Sequence, residues 1–275
     1  MENKIQHSMI KSFGGKGSNG FLKEIYQLFP KEYNSFIEPF CGSAVVALNI
    51  QKEKCSVIIN DLNKNIYSIF TVLQDKDLFF QLKEKLDIIF YSEDIFKESL
   101  ELLKTDLSLL DRAYHFFIVN RMSYSGNNKS FGKNMCIRRG VSKSVSDLLS
   151  TIDGLTEIHE KIQQFLILNR DGTELIEHYG QNEDYFMFLD PPYTWDTRTS
   201  TRYAVDFTPE QQEHLMDVLI NSKAKILLCG YNNPLYEERL VQENRWQRYD
   251  YQINTVTGTN SKKSKIESLW RNYEI

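Results

Sequence analysis

Cysteine is scarce. Cys41, Cys55, Cys136 and Cys229 are spread over 275 residues with no CxxC pair. That spacing argues against a disulfide framework and against a zinc site, and fits a reducing cytoplasm. Six prolines and 13 glycines are too few for a collagen-like chain or a long Pro-rich linker. Apolar runs such as 45–48 fall far short of the roughly 20 residues a membrane helix needs. Residues 1–16 are polar and lack the apolar segment of a secretory signal. An excess of positive charge is also missing: the net charge is −4, so the whole-chain balance does not advertise a nucleic-acid binder. What remains is 41% hydrophobic and 25% charged, enough for a packed core in one large domain or two small ones.

One absence is regional. Between Asp111 and Asp147 there is no acidic residue, while Arg121, Lys129, Lys133, Arg138, Arg139 and Lys143 all lie in that stretch with Tyr124, Asn127 and Asn128. A solvated loop is the plain explanation. The alternative is a polyanion-binding segment, since cations neutralise phosphates while amides and aromatics can read or stack on bases. A second basic cluster contains Lys262, Lys263 and Lys265.

Hydrophobic periodicity predicts helix over 21–29 and strands over 35–39 and 56–60. A helix of small and apolar residues is expected to open at Ser43. Helical patterns dominate from 63 to about 114. The polar, Gly-dotted stretch 123–143 reads as a long loop or irregular hairpin. Helical signals return over 146–162, then strand 165–168, helix 173–178, strand 185–189, helix 208–220 and strand 225–229. Thr208, Pro209 and Gln211 form the pattern of a capping box. The simplest architecture is α/β: a doubly wound, Rossmann-like sheet built from both ends of the chain, interrupted by a mainly helical insert.

Two places in that pattern carry chemistry. The run Phe36 to Ala44 goes from strand to turn, with Gly42 permitting close backbone approach, and Asp61 stands 19 positions later at the end of the next strand. An acid there can accept hydrogen bonds from both hydroxyls of a ribose. A single glycine disfavours a pyrophosphate and favours an adenosine cofactor without one, although a structural turn with a capping acid reads the same way. The stretch Phe13-Gly14-Gly15-Lys16 lacks P-loop spacing.

The tetrapeptide Asp190-Pro191-Pro192-Tyr193 follows an apolar strand, at the sheet edge where α/β folds bind ligands. Two prolines fix two φ angles and remove two N–H donors. A carboxylate and a backbone carbonyl can then accept the N–H bonds of an exocyclic amine, localising its lone pair, while an aromatic ring stacks on the base. The amine could attack an electrophilic methyl group in line, without a metal. A merely rigid loop after a strand is the competing interpretation.

These motifs, in this order, resemble the Dam-like, D12-class DNA adenine-N6 methyltransferases. The resemblance runs through Phe13–Lys16, Glu38-Pro39-Phe40-Cys41-Gly42-Ser43, Asn60-Asp61-Leu62-Asn63, Asn120-Arg121 with Tyr124 and Gly126, the tetrapeptide at 190–193, Phe207-Thr208 with Gln211, Gln212, His214 and Leu215, and the segment from Thr259 to Tyr273. It implies an enzyme of the cytoplasm of a bacterial or infected bacterial cell that needs no metal, and the lack of an evident exposed apolar stripe in the sequence points to a monomer. Such an enzyme uses S-adenosylmethionine to methylate a flipped adenine in double-stranded DNA, as in restriction-modification. It further implies a discontinuous catalytic domain, 1–63 with 161–275, around a target-recognition insert at 64–160. Ser12, Phe13, Gly14, Gly15, Lys16, Glu38, Pro39, Phe40, Gly42, Ser43, Asp61, Asp171 and Asp190 would bind the cofactor. Asp190, Pro191, Pro192 and Tyr193 would carry catalysis. Arg121, Tyr124, Asn127, Asn128, Lys129, Arg138, Arg139, Lys262 and Lys263 would contact DNA. Two positions depart from the family pattern: Ser12 stands where an aromatic residue is common, and Ala44 where a second glycine is common, the latter with only modest reshaping expected. Methylation of cytosine N4, RNA adenine or a glutamine amide, and a silent DNA-binding protein, are the competing functions. The Asp of the tetrapeptide favours adenine.

Overall fold

The fold is that of a computed structural model, which describes residues 7–11, 19–52, 54–192, 207–256 and 262–275. In chain order these form α1 (Asn19–Gln27), β1 (Ser35–Glu38), β2 (Ser56–Asn60), α2 (Lys64–Gln74), α3 (Lys76–Asp87), α4 (Glu93–Leu102) and α5 (Leu109–Met122). A short ribbon follows, β3 (Ile137–Arg138) and β4 (Val141–Ser142), then α6 (Lys143–Asp153), α7 (Leu155–Ile162), β5 (Phe165–Leu168) and α8 (Gly172–Tyr179). The remaining elements are β6 (Tyr185–Leu189), α9 (Pro209–Ile220), β7 (Lys225–Gly230), β8 (Gln247–Val256) and β9 (Lys262–Arg271).

The chain divides into two units. The first comprises Met1–Gly17, Gly42–Gln51 and Asp61–Asn169; the second comprises Ser18–Cys41, Lys52–Asn60 and Arg170–Ile275. Compactness thus draws the boundaries at other points than 63/64 and 160/161, and it groups the turn after β1, and β5, with the helices.

In the second unit six strands run in the order β2-β1-β6-β7-β9-β8. The first four are mutually parallel, and β9 pairs antiparallel with both β7 and β8. Strands covered on both faces read as unbroken apolar runs. Phe186 to Leu189 and Ile226 to Cys229 fit that rule, with no exposed surface. Their register sets Leu189, the last residue of β6, opposite Leu228, two residues before the end of β7. Phe29, just beyond α1, meets Phe186 edge-on at 4.5 Å and stacks on Phe36 at 5.9 Å. Each fully buried ring contributes about 1.5–3 kcal/mol of transfer free energy.

The first unit is helical apart from the ribbon and β5. Residues 116–122 of α5 are all buried, as expected of a helix enclosed on every side rather than amphipathic. Asn63, Asp75, Ser92, Ser108 and Ser142 each accept a backbone N–H at the start of a helix. Such caps contribute about 1 kcal/mol apiece.

The helix expected from Ser43 is absent. Only a single 3-10 turn, Ala47–Asn49, forms there. Gly42 and Ala44 both have positive φ, 48° and 50°, which breaks a right-handed helix before it can start, and Val45-Val46 adds two β-branched residues with low helix propensity. Ala44 therefore occupies a left-handed conformation that glycine adopts without cost and alanine does not.

Candidate active site

In the second unit β6 delivers the turn. Leu189 is the last paired residue of β6; Pro191 is buried, while Asp190 and Pro192 are half-buried. The Pro192 carbonyl accepts a hydrogen bond from Gln212 Nε2 at 2.9 Å. Gln212 Oε1 accepts one from the Tyr236 hydroxyl at 2.6 Å. Burial, and then the negative charge of Asp190, push the Tyr236 phenol above its ordinary range. Thr208 and Gln211 form the complete capping box of α9, and Phe207, just before it, meets Phe40 edge-on at 5.8 Å.

Phe40 also packs on Gly172, where an added Cβ would lie 2.3 Å from the ring. Asp171 caps α8: its Oδ1 accepts from Thr173 N at 2.8 Å and Glu174 N at 3.2 Å. Glu38 and Pro39 are buried. Asn60 ties two loops together. Its amide donates to Pro39 O and Arg170 O and accepts from Arg170 N.

In the first unit the counterpart is Asp61. Its Oδ2 accepts from Gly42 N at 2.9 Å and its Oδ1 from Asn63 N at 2.8 Å. Burial raises its pKa, while these two bonds oppose the shift. A Cβ added to Gly42 would meet nothing within 4 Å among the described residues. Ser43 is buried, and its carbonyl accepts from Ser8 Oγ.

Residues 9–11 are gripped by the segment 120–126. Lys11 N donates to Asn120 Oδ1 at 2.7 Å and Asn120 Nδ2 returns a bond to Lys11 O at 3.0 Å. Lys11 Nζ donates to Arg121 O at 2.9 Å. A Cβ on Gly126 would sit 2.7 Å from that of Lys11. Burial, reinforced by the Arg121 charge, lowers the Lys11 pKa to about 8.

The cations of the acid-free stretch have unlike fates. Arg121 is buried; it donates to Met9 O and Asp147 O, and burial pulls its pKa down to about 10. Its charge is enclosed within the unit. Arg138 and Lys143 both pair with Asp147, at 2.9 and 2.8 Å, and Lys133 with Glu93 at 3.0 Å. Arg139 is exposed and donates to Ser150 Oγ at 2.8 Å. Tyr124 is 63% exposed. Lys129 is exposed, and Asn127 and Asn128 are half-buried. Lys262 and Lys263 fall on β9. Ser12, Phe13, Gly14, Gly15, Lys16 and Tyr193 lie outside the described residues.

Sequence reading assigned no role to Gln212, Tyr236, Asn60 or Asn120. For Gln212 a signal existed. It falls in phase with Leu215, Met216 and Leu219 on α9, so a polar side chain occupies the apolar stripe. Asn120-Arg121 likewise interrupt an apolar run in α5.

Among the described residues no cluster of three or more His, Cys, Asp or Glu could hold a metal ion, and no helix is long and apolar enough to cross a membrane. The chain is 26% identical to the modification methylase StsI of Streptococcus sanguinis, over 98% of this chain but 43% of that protein. It is also 26% identical to the type II methyltransferase M1.LlaDCHI of Lactococcus lactis subsp. cremoris, over 100% of this chain and 96% of the other. A DNA adenine methylase of Haemophilus influenzae is 22% identical over 97% and 93%. The model of the D12 class N6 adenine-specific DNA methyltransferases matches residues 13–252, most of the length of the chain, which therefore belongs to that family.

Proposed function

We propose that this chain transfers a methyl group from S-adenosylmethionine to N6 of an adenine turned out of duplex DNA. The observation that carries the reading is the turn 190–192. A carboxylate and proline carbonyls stand together at the end of a strand whose last four residues are fully buried, anchored to α9 through Gln212.

Asp190 and the Pro191 carbonyl accept the two N–H bonds of the amine. This draws the nitrogen toward tetrahedral geometry and makes its lone pair available. With the donor bound, the N–C bond would form as its S–C bond breaks and S-adenosylhomocysteine leaves, and the amine proton would pass by way of the Asp190 carboxylate to water. The donor, when bound, supplies a methyl group activated by a sulfonium.

The residues present fit such a donor. Each Asp61 oxygen holds one backbone N–H and has capacity for one further donor, as two ribose hydroxyls require. Among the described residues nothing lies within 4 Å of a Cβ at Gly42, which leaves a ligand access to the backbone there. By the family resemblance Glu38 to Ser43 would surround the donor and Asp171 would lie toward its adenine, while Gly14, Gly15 and Lys16, outside the described residues, are assigned to its methionine end by their motif alone. Tyr193, also outside the described residues, would stack on the flipped base. Residues 64–160 recognise the target through Tyr124, Asn127, Asn128, Lys129, Arg138 and Arg139, with Arg121 supporting them from inside, and Lys262 and Lys263 are assigned to DNA by their charge alone. The relatives' names place the reaction in a modification system.

The test is Asp190→Ala, with label followed from tritiated S-adenosylmethionine into adenine-unmethylated genomic DNA. Transfer falls by roughly 10²–10³-fold while DNA affinity stays within about threefold. Retained transfer, or a labelled base other than N6-methyladenine, sinks the reading.

A further inference from the structure

The two prolines leave one kind of freedom in the turn. Their rings fix φ at 191 and 192, and the Pro192 ring also holds ψ of Pro191 in the extended range, but no following proline restricts ψ of Pro192, the torsion that aims its carbonyl and the chain beyond it. At its start the turn is held by β6 through the pairing of Leu189 with Leu228. At its far end the Pro192 carbonyl meets Gln212 Nε2.

Gln212 has no exposed surface and shares its helix face with Leu215, Met216 and Leu219, all fully buried. A buried amide is costly unless its groups are satisfied, so its presence on an apolar stripe calls for a reason. Its orientation is determined by chemistry. A proline carbonyl only accepts, so the amide nitrogen must face Pro192 and the oxygen must face Tyr236. Tyr236 is then the donor, and its phenol, pushed up by burial and by Asp190, keeps its proton. Tyr236 is itself wedged edge-on against Trp270 at 5.3 Å.

We propose that Gln212, oriented by Tyr236, is the positioning residue that sets the ψ of Pro192 and thereby holds Asp190 and the Pro191 carbonyl in the geometry that engages the target amine. This rests on the reading of residues 190–192 as the amine-binding turn. Gln212 touches no reacting atom; it turns a strap tethered at one end into one tethered at both.

The decisive variant is Gln212→Glu. It keeps the shape and the acceptor for Tyr236. Only its protonated form can donate to Pro192 O, and a carboxyl buried there has a raised pKa. Single-turnover transfer from tritiated S-adenosylmethionine to adenine-unmethylated genomic DNA is followed from about pH 6 to about pH 9. The Glu variant approaches the wild-type rate at the acid end and loses roughly 10–100-fold as pH rises, a limb that the wild type lacks. Gln212→Leu is slow at every pH by a similar factor, with DNA and donor affinities within about threefold of wild type. Tyr236→Phe, which frees the amide to flip, loses roughly 3–10-fold. Should Gln212→Leu fail to fold, as judged by thermal melting, the Glu and Phe variants decide. A wild-type rate and pH profile for Gln212→Glu overturns the proposal, as do losses that track melting temperature or DNA affinity alone. Asp190→Ala separates the two layers: if it still methylates, the underlying reading fails, whereas an inactive Asp190→Ala beside an unaffected Gln212→Glu refutes only the role of Gln212.

Discussion

Around Asp147, three cations sit in reach of water. Arg138 and Lys143 share its carboxylate and Arg139 binds a serine hydroxyl nearby. Around Pro192, by contrast, Gln212 and Tyr236 are sealed from solvent and form a chain of two short hydrogen bonds. Exposed pairs are weak and can exchange partners at little cost, as the DNA-facing role proposed for the ribbon requires. Buried amides with satisfied partners are rigid and unforgiving, which suits a turn that must present two acceptors in one geometry. Arg121 belongs to the acid-free stretch by sequence and to the buried class by structure, and it tests the distinction.

If the contrast holds, Arg121→Ala has the largest effect. It empties a buried guanidinium site and frees two backbone acceptors, so denaturant melts show a loss of about 3 kcal/mol. Arg139→Ala changes the same measurement by less than about 0.5 kcal/mol. Equal losses would erase the distinction. Next comes Gly172→Ala, which drives a Cβ into the Phe40 ring. Overpacking of that kind costs about 1–3 kcal/mol, although alanine is the better helix former.

Lys11 sharpens the comparison through pH. Its pKa is depressed in the folded chain, to about 8 from 10.5. Below pH 8 both states carry the proton and folding bears the full burial penalty. As pH rises from about 8 to about 10.5, the unfolded state holds more protons and stability increases. Discounted for its partial exposure, the gain is about 1–2 kcal/mol. Lys11→Met should flatten that rise in melts taken across the same window. The smallest effect is on binding alone. Arg138→Ala with Arg139→Ala leaves stability near wild type and lowers the slope of log affinity against log salt by about 2. An unchanged slope would take the ribbon out of the DNA interface.

Much of the fold was legible. The run Val57-Ile58-Ile59 marked β2, the Thr208–Gln211 box marked the start of α9, and the tetrapeptide marked the end of β6, each by local chemistry. The turn after β1 was legible at Gly42, but the lack of a helix beyond it was not, because the positive φ of Ala44 leaves no trace in composition. Strands β8 and β9 were hidden by their polar, Tyr- and Lys-rich alternation, and β9 was suggested only by resemblance. Among site residues, charge count located the basic ribbon but could not tell Arg121 from its neighbours. Only the apolar run around it hinted at burial. The grip of Asn120 on Lys11, 109 positions away, has no local signature.

Strand β9 lies between β7 and β8, and that order has a consequence for synthesis. A nascent chain exposes β8 to solvent, with one whole edge of β7 bare, until residues 262–271 have cleared the ribosome. The second unit therefore closes late, and the interval in which its uncovered backbone edges could capture another chain is set by the pace of translation through that stretch.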